Sequence, residues 1–433
     1  MSHKEKIVLI GAGSLQFGLG SVGSILESNI LKGSTVCLHD INPESLNLVD
    51  QACRLAVDKK KLDFTIESTT NRSDALKSAT FIINSIEVPP RFELWDQDYD
   101  IPRKFGNKQV MGENGGPGGF FHSLRVIPPI LEICEDVKKI CPNAYFLNFS
   151  NPMSRICLAI KRKFPSLKTV GLCHEYYHHV PIISRIINTP VSNLEIKAGG
   201  LNHFGVILDI NYKDTGEDAY PDIRKKGPEY LRSITTIDGH NIMVYILEKY
   251  GYVPYTTDSH YGEYIHWAWE IADMDGIHNF KTMYKQSIEY VNKNITRLIQ
   301  RRKGHRLVIH DEEKAIPIIE GILTDSNYIE DSVNLPNDGV ISNLPTDLVV
   351  ECPAIVNKDG LHAVKLGEYP KGLAALLRNQ ASVQDLVVEA ILTKSKEVAL
   401  QALLADPVVD SYSQAEKMLN EMLSVQSSYI QLE

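Results

Sequence analysis

The run Leu172-Cys173-His174-Glu175 sets a thiol, an imidazole and a carboxylate in consecutive positions. It follows an apolar stretch, residues 168–172, that reads as a buried strand end. In open α/β sheets the C-terminal ends of parallel strands face the ligand crevice, so these groups are placed for chemistry. A second imidazole, His203 in Gly199-Gly200-Leu201-Asn202-His203-Phe204, can close a metal site with Cys173. The plainer alternative is a buried Cys and a solvent-facing His. Further on, residues 254–264 are dense in acid–base groups. Asp258, His260 and Glu263 are spaced to converge around one helix start, or Asp258 simply caps that helix.

The elements that must position these groups begin with a strand at residues 6–10 running into Gly11-Ala12-Gly13-Ser14. This is the start of a dinucleotide fingerprint. Gly11 permits the tight turn, and Gly13 lets the backbone approach a pyrophosphate at a helix N-terminus. Gln16 stands where the third glycine would be. The second strand, Thr35-Val36-Cys37-Leu38-His39, ends in Asp40. Its carboxylate can accept from both ribose hydroxyls of an adenosine, which favours NAD over NADP. The alternative for Asp40 is an N-cap ahead of Asn42-Pro43. A further strand is expected at residues 80–86, then a polar, aromatic connection at 87–106 that reads as an active-site loop. Arg91 and Arg103 are its cations for a substrate or phosphate. The glycine-rich residues 111–119 imply positive φ or close approach to a ligand. A helix at 120–139 leads to a strand at 144–148 ending in Asn148-Phe149-Ser150-Asn151-Pro152. Asparagines there can donate to sugar hydroxyls or a nicotinamide ribose, or cap the helix at 153–163.

After Pro190 the pattern alternates like an antiparallel sheet, with His203 between two of its strands. Helices are expected at 238–250, 266–275 and 282–303. A late strand centres on Leu348-Val349-Val350-Glu351, and Pro353 should end it. Helices at 373–379 and 383–404 are apolar and periodic, which suits a core or a subunit interface in a homodimer or homotetramer.

Composition narrows the function classes. The chain has 433 residues, 43% of them hydrophobic, enough for a large core. A net charge of −9 leaves no basic surplus to neutralise nucleic-acid phosphate. No apolar run is long enough to cross a bilayer, and the polar start runs straight into a strand with no signal peptide. Seven scattered cysteines make no disulfide framework, so a reducing cytoplasm is expected, one that keeps Cys173 available as a ligand.

In their order these motifs resemble glycoside hydrolase family 4, the NAD- and metal-dependent glycosidases. The resemblance runs from Gly11-Ala12-Gly13-Ser14 and Asp40 through the run at Gly112, 148–152, Cys173-His174 and Asn202-His203 to Asp258-x-His260-x-x-Glu263 and Val350-Glu351-x-Pro353. It implies an α/β chain: an N-terminal Rossmann domain, residues 1–193, then a lactate/malate dehydrogenase-like α+β domain, residues 194–433, for substrate, metal and oligomerisation. It also implies glycoside cleavage by oxidation at C3, deprotonation at C2, elimination at C1, water addition and re-reduction, with NAD not consumed. Gly11, Gly13, Ser14, Asp40 and Asn148 would bind NAD. Cys173 and His203 match the metal ligands; the family prefers manganese, although the thiolate–imidazole pair alone suggests zinc or iron. Asp258 matches the proposed C2 base, and His174 is the candidate acid for the departing oxygen. Asn151, Arg91, Glu175 and His260 fall on the substrate side. Cys-His distinguishes the chain from phosphosugar members. Cys173-His174-Glu175 is similar to the α-galacturonidase subgroup, although Tyr176 stands where that subgroup has Val. An α-galacturonide is therefore the expected substrate, with α-galactoside, α-glucoside or α-glucuronide as alternatives. Glu175 should not touch a uronate directly, because like charges repel; it would orient His174, or an arginine such as Arg91 that does. Outside the family, the rivals are an NAD-dependent hydroxy-acid dehydrogenase and a non-catalytic NAD-binding sensor.

Overall fold

The computed structural model describes residues 2–14, 17–234, 237–309 and 314–433; Gln16 lies outside the described residues. Six short runs, apolar except at the edge strand β3, form parallel strands: β1 (Lys6–Ile10), β2 (Thr35–His39), β3 (Thr65–Thr69), β4 (Phe81–Asn84), β5 (Tyr145–Asn148) and β6 (Lys168–Gly171). β4 is buried along its whole length, as befits a strand covered by helices on both faces. Their order, β3-β2-β1-β4-β5-β6, is that of a dinucleotide-binding sheet.

The sheet does not stop at β6. Gly171 pairs antiparallel with Asn334 of β9 (Tyr328–Pro336). Beyond it lie β10 (Val349–Asn357), β7 (Leu194–Leu201) and β8 (Phe204–Tyr212), with β11 (Gly360–Ala363) on β10. Eleven strands thus make one sheet. The register aligns Ile10 with Asn84, Asn84 with Asn148, and Asn148 with Gly171. The ends of four strands are therefore level, and the residues after them share one rim.

Several expectations change. Residues 87–106 are not a loop: Arg91–Lys104 is a helix that buries Leu94, Trp95, Asp98 and Pro102, an inward face at helical spacing. Pro353 does not end its strand. β10 runs through it to Asn357, because the register shifts between Cys352 and Ala354 and a bulge tolerates a residue without an N–H. β9 was not anticipated at all. In the glycine-rich run, Gly112 and Gly116 do take positive φ (72° and 59°). The helix Gly116–Ile140 starts inside that run. A Cβ on Gly118 would lie 2.4 Å from Gly112 Cα, so chain packs on chain there rather than on a ligand. Helix is absent from most of 266–275, where a single turn, Ala268–Glu270, precedes the helix Met274–Gln300.

The C-terminal helices Lys371–Thr393 and Tyr412–Val425 belong to the core. Their Val387 and Met418 pack in one cluster with Phe121 and Ile127 of Gly116–Ile140 and Ile156 of Met153–Lys163. Among the described residues no helix is long and apolar enough to cross a membrane.

Candidate active site

Gly171 closes β6 where a Cβ would lie 2.6 Å from the Met153 sulfur, so only glycine lets the chain pass this close. Two residues later Cys173 emerges at the rim. Its Sγ lies 3.2 Å from His203 Nε2. His203 occupies the two-residue turn Asn202-His203, which joins β7 to β8 with Leu201 paired to Phe204. That turn puts His203 at φ 60°, an unusual conformation for a histidine. It is braced from below. Glu351 of β10 sits opposite Gly200 of β7 and accepts from Asn202 Nδ2 (3.5 Å), Tyr255 Oη (3.1 Å) and Ser332 Oγ (2.8 Å). Burial pushes the Glu351 carboxyl up to about 7.

Burial raises the Cys173 thiol well above its ordinary value, and Glu351 and Glu175 add to this. Burial, then His260, drives His203 well down, which keeps its imidazole neutral and able to ligate. A thiol and a neutral imidazole converging at 3.2 Å, with His203 Nδ1 buried and without a hydrogen-bond partner, suit a divalent transition metal. Loading such a site must release the thiol proton.

Glu175 opens the helix Glu175–Ile187. It accepts from Thr256 Oγ1 at 2.7 Å and lies 3.7 Å from both His174 Nε2 and His179 Nδ1. Burial alone would raise its carboxyl, but His260, His179 and His174 together hold it far below the carboxylate range. Of the two roles expected for Glu175, the histidine contacts are present; Arg91 is occupied elsewhere. The His260 ring lies 4.4 Å from that of His203, centroid to centroid and tilted by 51°. Its Nδ1 is 2.7 Å from Ser259 Oγ, which donates to Asp238 at 2.6 Å.

Asp258 has a different occupation from the one its sequence position suggests. The short helix Asp258–Tyr261 has Thr257, not Asp258, at its cap position. The fully buried Asp258 carboxylate reaches back to accept from Asn241 N (3.0 Å), Ile242 N (2.7 Å) and Asp273 N (3.0 Å). It thus caps the helix Asn241–Tyr250. Of the roughly four acceptor positions of a carboxylate, one is left over. Burial still pushes its carboxyl up to about 6 against those donors.

Asn151 is half-buried, and its Oδ1 accepts from Met153 N (3.3 Å) at the start of Met153–Lys163. Asn148 reaches the rim with its side chain turned inward: it accepts from Asn84 (2.9 Å) and donates to Ser150 O (2.9 Å). Its amide therefore ties strand ends together. Arg91 donates to Glu113 Oε1 (2.9 Å) and Tyr284 Oη (2.7 Å), with Glu87 at 3.8 Å. Two carboxylates flank one cation, so no unneutralised charge is presented. The residues that sequence reasoning left unassigned here are Glu113, Asp238, Thr256 and Ser259; only the local density of polar residues pointed to them.

Glu87 also pairs with His122 at 3.1 Å. Burial opposes ionisation of Glu87, but His122, then Arg91, bring it from its ordinary 4.5 down to about 2. Burial likewise opposes charge on His122, yet Glu87 raises it above its ordinary 6.5. A depressed carboxyl stabilises the fold above 4.5 and loses this as pH falls toward 2; a raised imidazole stabilises below 6.5 and loses this as pH rises. The pair therefore contributes most between pH 4.5 and 6.5. The urea midpoint of His122→Gln should fall furthest below the parent in that window and converge on it above neutrality. A pH-independent deficit would contradict the assignment.

At the other end of the rim, Gly11 takes φ 86°, and a Cβ there would meet the Ser85 backbone at 3.0 Å. Gly13 N donates to Asp40 Oδ2 at 2.7 Å, and Asn42 N donates to Oδ1 at 2.8 Å. The cap of the next helix is Asn42, so Asp40 is left to the turn. Ser14 is exposed beside it. A Cβ on Gly13 would fall 2.6 Å from Asp40 Oδ2. This is a cradle shaped by missing side chains, and it fits a dinucleotide. Gly13→Ala should displace Asp40 and weaken NAD binding at least about tenfold, the loss of one charge-assisted hydrogen bond. Fluorescence titration with NADH checks this; unchanged affinity would remove the turn from the cofactor site.

The fold and the site define a dinucleotide-binding α/β protein whose strand ends also carry a sulfur–nitrogen metal-donor pair. Residues 6–189 match the model of the family 4 glycosyl hydrolases, and residues 198–409 match the C-terminal domain of the same family. The chain belongs to glycosyl hydrolase family 4. An α-glucosidase of Erwinia rhapontici is 42% identical, over 98% of each chain. An α-galacturonidase of Thermoanaerobacter italicus is 28% identical, over 98% of this chain and 97% of its own. The crystal structure of a 6-phospho-α-glucosidase from gut microorganisms, in complex with NAD and Mn2+, superimposes with a TM-score of 0.87 at 22% identity, covering all of both chains. The fold is the family's: a Rossmann half followed by an α+β half of the lactate and malate dehydrogenase type. The chain is a glycoside hydrolase of that family.

Proposed function

We propose that the protein cleaves an unphosphorylated, neutral α-glycoside, an α-glucoside first among them, with NAD and Mn2+ as cofactors. The observation that carries the substrate choice is the state of Arg91. A uronate needs an available cation, and this guanidinium is already matched by Glu113, Glu87 and Tyr284. The 42% identity to an enzyme named α-glucosidase supports the same reading. The reading from Cys173-His174-Glu175, an α-galacturonide, is the second: the motif and the 28% identity to an enzyme named α-galacturonidase support it, but Glu175 contacts Thr256 and lies beside histidines, not an arginine.

In this account Gly11, Gly13, Ser14 and Asp40 hold NAD, and Cys173 with His203 hold Mn2+. When bound, NAD accepts a hydride from C3 of the sugar and the metal serves as a Lewis acid toward that carbon's oxygen. Asn151 orients sugar hydroxyls. The C2 base that the resemblance assigns to Asp258 must be uncovered to reach the sugar, because its carboxylate is fully buried and holds three backbone N–H groups. His174, half-exposed at the rim, hands a proton to the departing oxygen, with Glu175 fixing its ring.

The test compares nitrophenyl α-glucoside, α-galactoside and α-galacturonide under reducing conditions with NAD+ and Mn2+. Cleavage of a neutral sugar with the uronide at least about tenfold poorer in kcat/KM is expected, from one uncompensated charge contact. A uronide cleaved as well as or better than the neutral sugars would return the substrate to α-galacturonide.

A further inference from the structure

We propose that His174, Glu175 and His178 form a second metal site at the mouth of the active site, one that takes zinc-class cations and shuts the enzyme down when filled. The sequence His174-Glu175-Tyr176-Tyr177-His178 has the spacing that sets two imidazoles one turn apart on a single helix face, with a carboxylate between them. The structure realises that spacing. His178 N donates to His174 O at 3.1 Å, so the helical turn is formed. The two rings stand 4.5 Å apart. His174 Nε2 and Glu175 Oε1 are 3.7 Å apart, and one donor atom from each of the three residues lies within 4.8 Å of the others. Among the described residues this is the one trio of His, Cys, Asp or Glu that converges so closely.

Both imidazoles are exposed, and their donor atoms and that of Glu175 lie close enough together to face one ion. The flanking residues make the frame rigid: Tyr176 is buried, and Glu175 is pinned by Thr256. The donors are two nitrogens and an oxygen, with no sulfur. Such a set prefers Zn2+, Cu2+ or Ni2+ over Mn2+, which stands at the weak end of the affinity order. The inner Cys173–His203 pair, with its sulfur donor, also prefers zinc to Mn2+, so Zn2+ is expected at both sites, and only the outer one includes His178. At the outer site it draws His174 and Glu175 away from the substrate. The binding part stands on geometry alone; the inhibitory part rests on the role proposed for His174.

The experiment is a zinc titration of the NAD- and Mn2+-loaded enzyme, followed by both isothermal calorimetry and turnover. His178→Ala is the diagnostic variant, because His178 has no place in the chemistry. It should keep kcat and KM in Mn2+, yet weaken one zinc event at least tenfold in calorimetry and raise the half-inhibiting zinc concentration at least tenfold. Cys173→Ser should still bind one zinc with parental affinity. Zinc that binds and inhibits H178A as it does the parent, but fails to bind C173S, would place its action at the inner pair and overturn the proposal. No zinc binding at all would overturn it too. Zinc bound at the trio with turnover intact would uphold the site but overturn the inhibition, and with it the role proposed for His174.

Discussion

Cys173→Ser lowers kcat/KM for the α-glycoside by at least about a thousandfold and leaves NAD binding unchanged. A Lewis acid at the reacting oxygen is worth several kcal/mol, and each 1.4 kcal/mol is about tenfold in rate. The hydroxyl of serine is a hard and far weaker donor than a thiolate, so metal affinity collapses while packing hardly changes. His203→Asn should do the same, since the two donors converge on one ion at 3.2 Å separation. Groups that act as a unit are non-additive, so the double variant should be little worse than either single one. Steady-state kinetics across Mn2+ concentrations, with NADH titration as the control, checks all three. Loss of NAD binding in C173S would show instead that the residue holds the fold of the rim.

The largest stability effect is expected far from the chemistry. Arg125 and Asp98 form a bidentate pair at 2.7 and 2.6 Å, with side chains 3% and 1% exposed. Gln426 completes it, accepting from Arg125 at 2.8 Å and donating to Asp98 at 3.3 Å. The cluster clamps Arg91–Lys104, Gly116–Ile140 and the end of Tyr412–Val425 together. Asp98→Ala strands a buried guanidinium and should cost about 3–5 kcal/mol. The double replacement Asp98→Leu with Arg125→Met removes both charges and should recover much of that loss, since apolar residues of similar volume often match a buried pair. Urea denaturation of the parent and both variants measures this. A single variant within about 1 kcal/mol of the parent would mean that the pair is hydrated like a surface contact.

What was legible in the sequence was whatever local pattern decides. Buried parallel strands write themselves as unbroken apolar runs, so β1, β2, β4, β5 and β6 fell close to their observed bounds. Turn chemistry at Gly11 and Gly13 was readable for the same reason: the residues that make the turn are adjacent. Cys173 and His203 were legible as residue types at element ends, 30 positions apart. What failed depended on partners far along the chain. The helix Arg91–Lys104 hides one proline, Pro102, and many charges, and only its packing against Gly116–Ile140 selects it over a loop. β10 survives Pro353 because a bulge and its neighbour β9 absorb the missing donor. Asp258 caps a helix that begins 17 residues before it, which no window centred on its own helix contains. Arg91 looked like an available cation until Glu113 and Tyr284, 22 and 193 positions away, folded onto it. Charge state at a site is thus a tertiary property, even where the residue type is plain.

The central claim is that an oxidation and an elimination, not direct displacement by water, break the glycosidic bond. The most direct measurement is hydrolysis of nitrophenyl α-glucoside in D2O, with Mn2+ and NAD+ well below the substrate concentration. The account predicts many turnovers per NAD+, no net NADH, and deuterium at C2 of the released sugar. Bond cleavage that needs no NAD+ and leaves C2 fully protiated would contradict it, as would NADH that accumulates while the glycosidic bond stays intact.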